Sequence, residues 1–366
     1  MLKYKSYIVL FAVAAMTASC SQDVAENPVF EGNEVYATLP ELEDGNVMTR
    51  STLTYNASEN KMHFSWENGD KIGVFAVNDD PSKRQQIQFD LKKGAGTSSG
   101  GFDAYDDAVR VIGKDNEYIA FRPYTKENDY EKLDVKYDEQ KAGAFPKMKY
   151  YSFNGKNKAA NATIYNESEK AASAHLGKAD YMVALPVVAL EDRHCSFDFK
   201  RMGAVVRFYL KCPRAMEYEG LQLVAKGKKF ILEGQLDAYN REIVPVVTGN
   251  VQELQFSPAL DMTNTSSDYY YNGSGYIISY MMMAPIDLRD AESLSIYLKG
   301  SVNGNAYYYK SKGELAKPNL TANMFYQWTS ADNTDNPAII FDEISVQDWE
   351  EVIYSNGEEG TGTSIW

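Results

Sequence analysis

Apolar and polar residues alternate in short runs along most of this chain, and a period of two is typical of half-buried β-strands. Residues 51–55 and 62–66 alternate in this way, and residues 72–77 predict a buried strand. Asn68-Gly69-Asp70 before that strand predicts a tight turn. Similar runs recur roughly every 8–14 residues, with Gly, Asn, Asp or Pro between them. No helical period alternates with the strands, so the pattern predicts an all-β fold of antiparallel β-sandwiches.

The regular pattern is interrupted once before a second block of strands begins. Residues 141–178 are rich in Lys, Asn and Ala and predict a long surface excursion. A second block begins at Ser196, with strands predicted at 196–200, 205–210, 220–224, 229–232, 253–256, 276–283, 293–298 and 306–310. A chain of 366 residues exceeds the usual size of one domain, so we expect sandwich domains over residues 51–192 and 193–366.

Residues 1–19 have the composition of a signal peptide. Lys3 and Lys5 precede an apolar run over residues 7–15, which is too short to span a bilayer as a mature helix. Small residues then lead to Cys20, an arrangement that resembles the bacterial lipobox, whose cysteine thiol receives a diacylglycerol before the signal is cut. The alternative is an ordinary secretory signal followed by a chance cysteine. The lipobox interpretation makes Cys20 the lipidated N-terminus of an exported protein.

Residues 20–50 form a polar, acidic segment with one short predicted strand. The alternating positions of this strand are Val35, Ala37 and Leu39. Arg50 is the only basic residue between Lys5 and Lys61, so an accessible stretch ends at a single candidate cleavage site for a trypsin-like protease. An ordinary solvated arginine is the alternative interpretation.

The last segment, residues 337–366, alternates apolar patches with acids and glycines. The apolar positions that suit a strand are Ile344, Val346, Trp349, Val352, Ile353, Ile365 and Trp366. A globular chain can simply end in a strand. A terminal strand flanked by flexible glycines can also be donated to the sheet of another molecule. The sequence leaves both interpretations open.

Two cysteines follow Cys20, and the spacing of Cys195 and Cys212 is not that of a metal-binding pair. A hairpin that turns near Gly203-Ala204 would place the two cysteines opposite each other, with both thiols on the apolar face. This register predicts a disulfide between Cys195 and Cys212. Two buried free thiols are the alternative.

The composition narrows the classes of function. A net charge of −14 argues against nucleic acid and against adsorption to an anionic membrane surface. The chain carries no metal-ligand cluster and no nucleophile, phosphate-loop or dinucleotide motif, so we expect neither a cofactor nor an enzymatic activity. Two runs of tyrosine, at 269–271 and 307–309, could stack on sugar rings. A lipid-anchored glycan-binding protein that serves nutrient capture is therefore the alternative function.

Several short motifs, in order along the chain, resemble those of the fimbrillin family of Bacteroidota. The first are M-T-R-S at 48–51 and F-S-W-E-N-G-D-K-I-G-V-F at 64–75. The others lie at 118–124, 179–184, 197–208, 230–237, 320–326 and 344–350. Together they span nearly the whole chain behind the lipobox.

This resemblance implies two tandem transthyretin-like antiparallel β-sandwich domains. It also implies a structural subunit, stalk or tip, of a type V surface fimbrium that supports cell adhesion. Such subunits are exported as lipoproteins and cut by an Arg-specific surface protease, here between Arg50 and Ser51. The cut would release residues 20–50, and the groove left behind would receive the C-terminal strand of another fimbrial subunit. Residues 337–366 are the implied donor segment of this chain.

The same resemblance implies a location. The precursor would be held at the outer membrane by its lipid, and the processed protein would lie in the fimbrium on the cell surface. No pattern in the sequence identifies a receptor on a host or bacterial surface.

We expect Cys20→Ala to remove the protein from the membrane fraction, because one thioether-linked diacylglycerol supplies the anchor. The measurement is immunoblotting of carbonate-washed membranes, with Ser21→Ala as the control that keeps the thiol. Retention of the Cys20 variant in washed membranes would contradict the lipobox interpretation.

Overall fold

The computed structural model describes residues 34–39, 52–56, 61–84, 86–105, 116–127, 129–146, 172–189, 195–265, 270–271, 274–313, 315–329, 342–345 and 349–352. β-Strands dominate these residues, so the predicted all-β fold is confirmed. A 3-10 turn at Pro81–Lys83 and a one-turn helix, α1, at Leu176–Ala179 interrupt the strands.

The strands begin with β1 (Glu34–Thr38), β2 (Thr52–Asn56), β3 (Lys61–Ser65), β4 (Lys71–Ala76), β5 (Gln86–Lys93), β6 (Ser99–Ala104), β7 (Glu117–Arg122), β8 (Leu133–Lys136), β9 (Gln140–Ala142), β10 (Phe145–Pro146), β11 (Met182–Ala184), β12 (Val187–Val188), β13 (Ser196–Arg201) and β14 (Ala204–Lys211). They continue as β15 (Glu217–Lys226), β16 (Phe230–Asp237), β17 (Glu242–Gly249), β18 (Val251–Asp261), β19 (Tyr270–Tyr271), β20 (Ser274–Met283), β21 (Ile286–Asp287), β22 (Ser293–Val302), β23 (Asn305–Ser311), β24 (Asn319–Leu320), β25 (Phe325–Thr329), β26 (Asp342–Ser345) and β27 (Trp349–Val352). Each strand predicted in the second block overlaps one of these.

The first sheet closes on itself. Its strand order is β11-β13-β1-β6-β5-β4-β7-β12, and β11 also pairs with β7, so seven strands form a ring. Neighbours in a ring with an odd number of strands cannot all be antiparallel. The parallel pair is β1 with β13, and the other six pairs are antiparallel. All seven strands contribute side chains to one buried core inside the ring.

A two-sheet sandwich forms the other part of the fold. One sheet has the order β10-β20-β14-β25-β26, and the other has the order β27-β23-β22-β15-β18-β9. Side chains from both sheets form a second core, in which Phe208 and Trp328 stack with ring centroids 5.8 Å apart. The pairs β14–β25, β25–β26 and β9–β18 are parallel. The sheets are therefore mixed, whereas the sequence predicts antiparallel sheets.

A third core lies between the ring and the sandwich. Phe121 and Val183 of the ring belong to the same buried cluster as Val205 and Ile278 of the sandwich. The alternation in β7 and β11 thus serves two cores, because their other side chains point into the ring.

Strand pairing crosses the predicted domain boundary in both directions. β13 begins after residue 192 but belongs to the ring. β8, β9 and β10 precede that residue but pair with β16, β18 and β20. Residues 32–366 also belong to one compact unit. The division into domains 51–192 and 193–366 stays a prediction that the strand pairing does not follow.

The predicted hairpin between β13 and β14 is wrong. β13 pairs with β1 and β11, whereas β14 pairs with β20 and β25. The chain passes from the ring to the sandwich at Gly203, where a Cβ would lie 2.9 Å from the Met283 carbonyl oxygen. Cys195 and Cys212 consequently lie in different cores as free thiols, and burial raises the pKa of each to about 12.

Buried charges connect three strands where the ring closes. Asp180 accepts two hydrogen bonds from Arg201, from Nε at 2.6 Å and from Nη2 at 2.9 Å. Arg122 donates to the Asp180 carbonyl oxygen at 3.4 Å and to Asp70 Oδ1 at 3.2 Å. The Asp180 and Arg201 side chains are 2% and 1% exposed, so their charges must be paired within the protein.

Removal of the Asp180 carboxylate should destabilise the fold strongly, because it leaves the Arg201 guanidinium buried without its counter-charge. We expect Asp180→Ala to lower the free energy of unfolding by about 3–5 kcal/mol. Urea denaturation at neutral pH measures the change. Asp287→Ala, which removes a carboxylate from the exposed pair with Arg289, is the control and should leave the midpoint almost unchanged. Equal midpoints for both variants would contradict the interpretation.

Candidate assembly site

The amino-terminal strand β1 is one of the seven strands of the ring and has a paired strand on each side. It runs antiparallel to β6, with Ala37 opposite Gly100, and parallel to β13, with Ala37 opposite Phe197. Tyr36 N–H donates to the Cys195 carbonyl oxygen at 3.0 Å. Both edges of β1 are therefore paired, and removal of β1 would leave β6 and β13 each with an unpaired edge.

The side chains of β1 alternate as the sequence predicts. Val35 is fully buried, and Ala37 and Leu39 are each 1% exposed. Glu34, Tyr36 and Thr38 point the other way and are partly exposed. Full burial of a Val or Leu side chain contributes roughly 1.5–3 kcal/mol. Hydrophobic burial and two rows of backbone hydrogen bonds therefore both hold β1 in place.

Trp66 fixes the middle of β1 from the inside. Its indole Nε1 donates to the Ala37 carbonyl oxygen at 3.2 Å. The indole ring also meets Phe102 edge-on at a centroid distance of 4.9 Å. A Cβ on Gly100 would lie 2.9 Å from Trp66 and 2.8 Å from Phe102, so only glycine fits there. The space beside Gly100, which lies opposite Ala37, is thus filled by aromatic rings.

The outer face of β1 carries weaker contacts. Lys93 Nζ lies 3.3 Å from Glu34 Oε1, and this hydrogen bond raises the pKa of the Lys93 ammonium. Burial of Tyr36, with a smaller effect from Glu34, raises the pKa of the phenol. The Lys93 side chain is 62% exposed, so solvent screens the ion pair and it adds little stability.

The structure divides the predicted donor segment between two sheets. Ile344 lies in β26, which pairs in parallel with β25, with Trp328 opposite Ile344. Trp349 and Val352 lie in β27, which pairs antiparallel with β23 on the other sheet of the sandwich. The described part of the segment is thus two strands at the edges of two sheets of its own chain. Val346, Ile353, Ile365 and Trp366 lie outside the described residues.

The predicted lipidation and cleavage residues, Cys20, Arg50 and Ser51, also lie outside the described residues. The described chain leads towards Arg50 from the end of β1. There, Thr38 and Leu39 line a cleft of about 540 Å³ together with Leu185 and Phe199.

The tyrosine run at 307–309 does not offer an open platform for sugar. Tyr309 is 7% exposed, and the Arg214 guanidinium lies 4.1 Å from the centre of the Tyr307 ring. Tyr269 lies outside the described residues. Within the described ranges, no group of three or more His, Cys, Asp or Glu side chains could hold a metal ion. The same ranges contain no helix long and apolar enough to cross a membrane.

Sequence reasoning missed the residues that shape the site around β1. Trp66, Gly100 and Phe197 are far from β1 in sequence, and the structure brings all three against Ala37. The only available signal was the Gly100-Gly101 pair in an otherwise alternating strand, because a glycine inside a strand often marks a close approach.

The comparison with protein-family models identifies one family. A family model described as fimbrillin-like matches residues 49–349. No curated protein matches the chain.

Solved structures of low sequence identity are also similar to the chain. A candidate cell adhesion protein from Bacteroides ovatus is 16% identical, with 90% of this chain and 100% of that chain covered and a TM-score of 0.43. A candidate cell adhesion protein from Bacteroides uniformis is 13% identical, with coverages of 85% and 96% and a TM-score of 0.43. The tip fimbrial protein Mfa3 from Porphyromonas gingivalis, truncated at its C-terminus, is 10% identical, with coverages of 88% and 100% and a TM-score of 0.31. Since these TM-scores are below 0.5, the fold assignment rests on the strand pairings of the chain itself.

A larger side chain at position 37 should strain the intact protein, because Ala37 is buried in the core that also contains Trp66 and Phe197. We expect Ala37→Leu to lower the free energy of unfolding by about 1–3 kcal/mol. Thr38→Leu, which changes the opposite face of the same strand, should have a smaller effect. Urea unfolding of both variants measures the difference, and equal losses would contradict the tight fit at position 37.

Proposed function

Because this chain belongs to the fimbrillin-like family, we propose that it is a structural subunit, stalk or tip, of a type V surface fimbrium assembled by protease-triggered strand exchange. The fimbrium would support cell adhesion through a receptor on a host or bacterial surface. The partners in assembly are other fimbrial subunits, and an Arg-specific surface protease starts the process.

The position of β1 is the observation that carries this proposal. A cut between Arg50 and Ser51 would break the only covalent connection between β1 and the rest of the ring. β1 would then be held by hydrogen bonds and burial alone. Adjacent strands lie about 4.8 Å apart, so its departure would open a gap of about 10 Å between β6 and β13, which is the width of one strand.

An open gap is energetically unfavourable, and this favours entry of a new strand. Backbone groups of β6 and β13 would lose their partners, and Phe102 and Phe197 would contact water. An incoming strand would restore the main-chain hydrogen bonds and fill the alternate pockets. A strand that enters in the direction of β1 would run antiparallel to β6 and parallel to β13, as β1 does.

The two ends of the chain would then have different tasks. Lipid on Cys20 would keep the precursor at the outer membrane until cleavage releases residues 20–50. Residues 337–366, including Ile344, would be donated to a neighbouring subunit. Donation requires β26 and β27 to leave their sheets, and both are short edge strands with one pairing partner among the described strands.

We expect cleavage after Arg50 to make β1 exchangeable. Protein cut by an Arg-specific protease should release residues 20–50 slowly and incorporate a labelled peptide of residues 32–41 in their place. Uncut protein and protease-treated Arg50→Ala should do neither, whereas Lys61→Ala should behave as wild type. Native mass spectrometry measures both release and incorporation.

The mechanism fails if cut wild type neither loses its own strand nor takes up the peptide. It also fails if the Arg50 variant incorporates the peptide equally well.

A further inference from the structure

The groove left by β1 would have three side-chain sites of unequal size. Val35 and Leu39 occupy the outer two, and Ala37 occupies the middle one. The middle site is bounded by Trp66, which is fully buried and bonded to the Ala37 carbonyl oxygen, and by the neighbouring strand residues Gly100 and Phe197. These residues all follow Arg50 in the sequence, so they would remain after cleavage.

The shape of the groove thus sets a rule for any strand that replaces β1. The strand needs a Gly, Ala or Ser in the middle site, with an apolar residue two positions away on each side. A larger middle residue would have to displace a Trp66 or Phe197 ring, and cores resist such overpacking.

The carboxyl-terminal segment of this same chain does not satisfy the rule. The small residues within 337–366 are Ala338, Ser345, Ser355, Gly357, Gly360, Gly362 and Ser364. None of them has an apolar residue two positions away on both sides, whichever direction the segment runs.

The apolar pair of the segment shows the conflict most clearly. When Ile344 and Val346 occupy neighbouring sites, one of the two falls in the middle site. The third site then receives Asp342 or Asp348. A carboxylate in that site would lose its water without gaining a cation, which is costly.

We propose that the β1 groove accepts a strand from a different subunit and excludes the carboxyl-terminal segment of a second copy of this chain. The accepted strand carries Val, Ile or Leu on either side of a Gly, Ala or Ser. This inference rests on the strand exchange proposed above. It places the chain at a junction between unlike subunits, because copies of it cannot extend one another through this groove.

Competition between peptides tests this proposal on the cleaved full-length protein. The probe is a fluorescent peptide of residues 32–41, and the competitors are this peptide with Ala37→Leu, a tail peptide of residues 338–350, and the tail peptide with Asp342→Ala. The last substitution creates an Ile340–Ala–Ile344 pattern at two-residue spacing. A scrambled 32–41 peptide measures nonspecific binding.

We expect the Ala37→Leu peptide to bind about 10- to 100-fold more weakly than the parent, as overpacking costs predict. The tail peptide should not displace the probe at the concentrations where the parent peptide does. Its Asp342→Ala form should displace the probe at a concentration at least tenfold lower than the unmodified tail peptide.

Each remaining outcome counts against the proposal in a different way. Equal competition by the unmodified tail peptide, or no loss with Ala37→Leu, overturns the selectivity and leaves strand exchange intact. Failure of the 32–41 peptide itself to bind overturns strand exchange and the selectivity together.

Discussion

The insertion of β1 between β6 and β13 is the constraint on which the rest of the structure depends. Six of the seven ring strands are connected by antiparallel pairings, and a ring of seven can close only through a parallel pair. β1 supplies that pair because β6 and β13 run in opposite directions, so a strand between them is parallel to one of the two. Without it, the ring is an open sheet with two unpaired edges.

The ring in turn fixes how the sandwich is attached. β13 ends at Arg201 beside the Asp180 carboxylate, and two residues later Gly203 passes close to Met283 of the sandwich. The next strand, β14, is the central strand of the sandwich sheet with the order β10-β20-β14-β25-β26. The continuous segment from β13 to β14 therefore belongs to both the ring and the sandwich. A shift of β13 would move Arg201 relative to Asp180 and would disturb the packing of the third core.

Local properties of the fold could be predicted from the sequence, but the pairing partners could not. Alternation in β1 and in the strands of the second block depends on neighbouring residues, so it is visible along the chain. The parallel partner of Ala37 is Phe197, and no local pattern records such a distant contact. The predicted Cys195–Cys212 register is wrong for this reason, because β13 and β14 pair with distant strands and not with each other.

The same limit applies to the candidate site. The sequence identifies Val35, Ala37 and Leu39 as one face of a strand, and their burial confirms that prediction. It does not show that the middle position is the restrictive one, because the restriction comes from Trp66 and from Phe197 on the neighbouring strand β13, both distant in sequence. The carboxyl-terminal segment has apolar alternation too, but alternation alone does not specify which groove it fits.

Two kinds of contact around β1 would respond differently to strand exchange. The Trp66 indole bonds to a backbone carbonyl, a group that every residue carries, so an incoming strand of any sequence can accept that hydrogen bond. The backbone hydrogen bonds to β6 and β13 likewise do not depend on the sequence of the incoming strand, except that proline has no N–H to donate. Discrimination must therefore come from the side chains, through their volume at the Ala37 site and their charge at the sites of Val35 and Leu39. Main-chain contacts would hold a donor strand, while the three side-chain sites together would decide which donor is held.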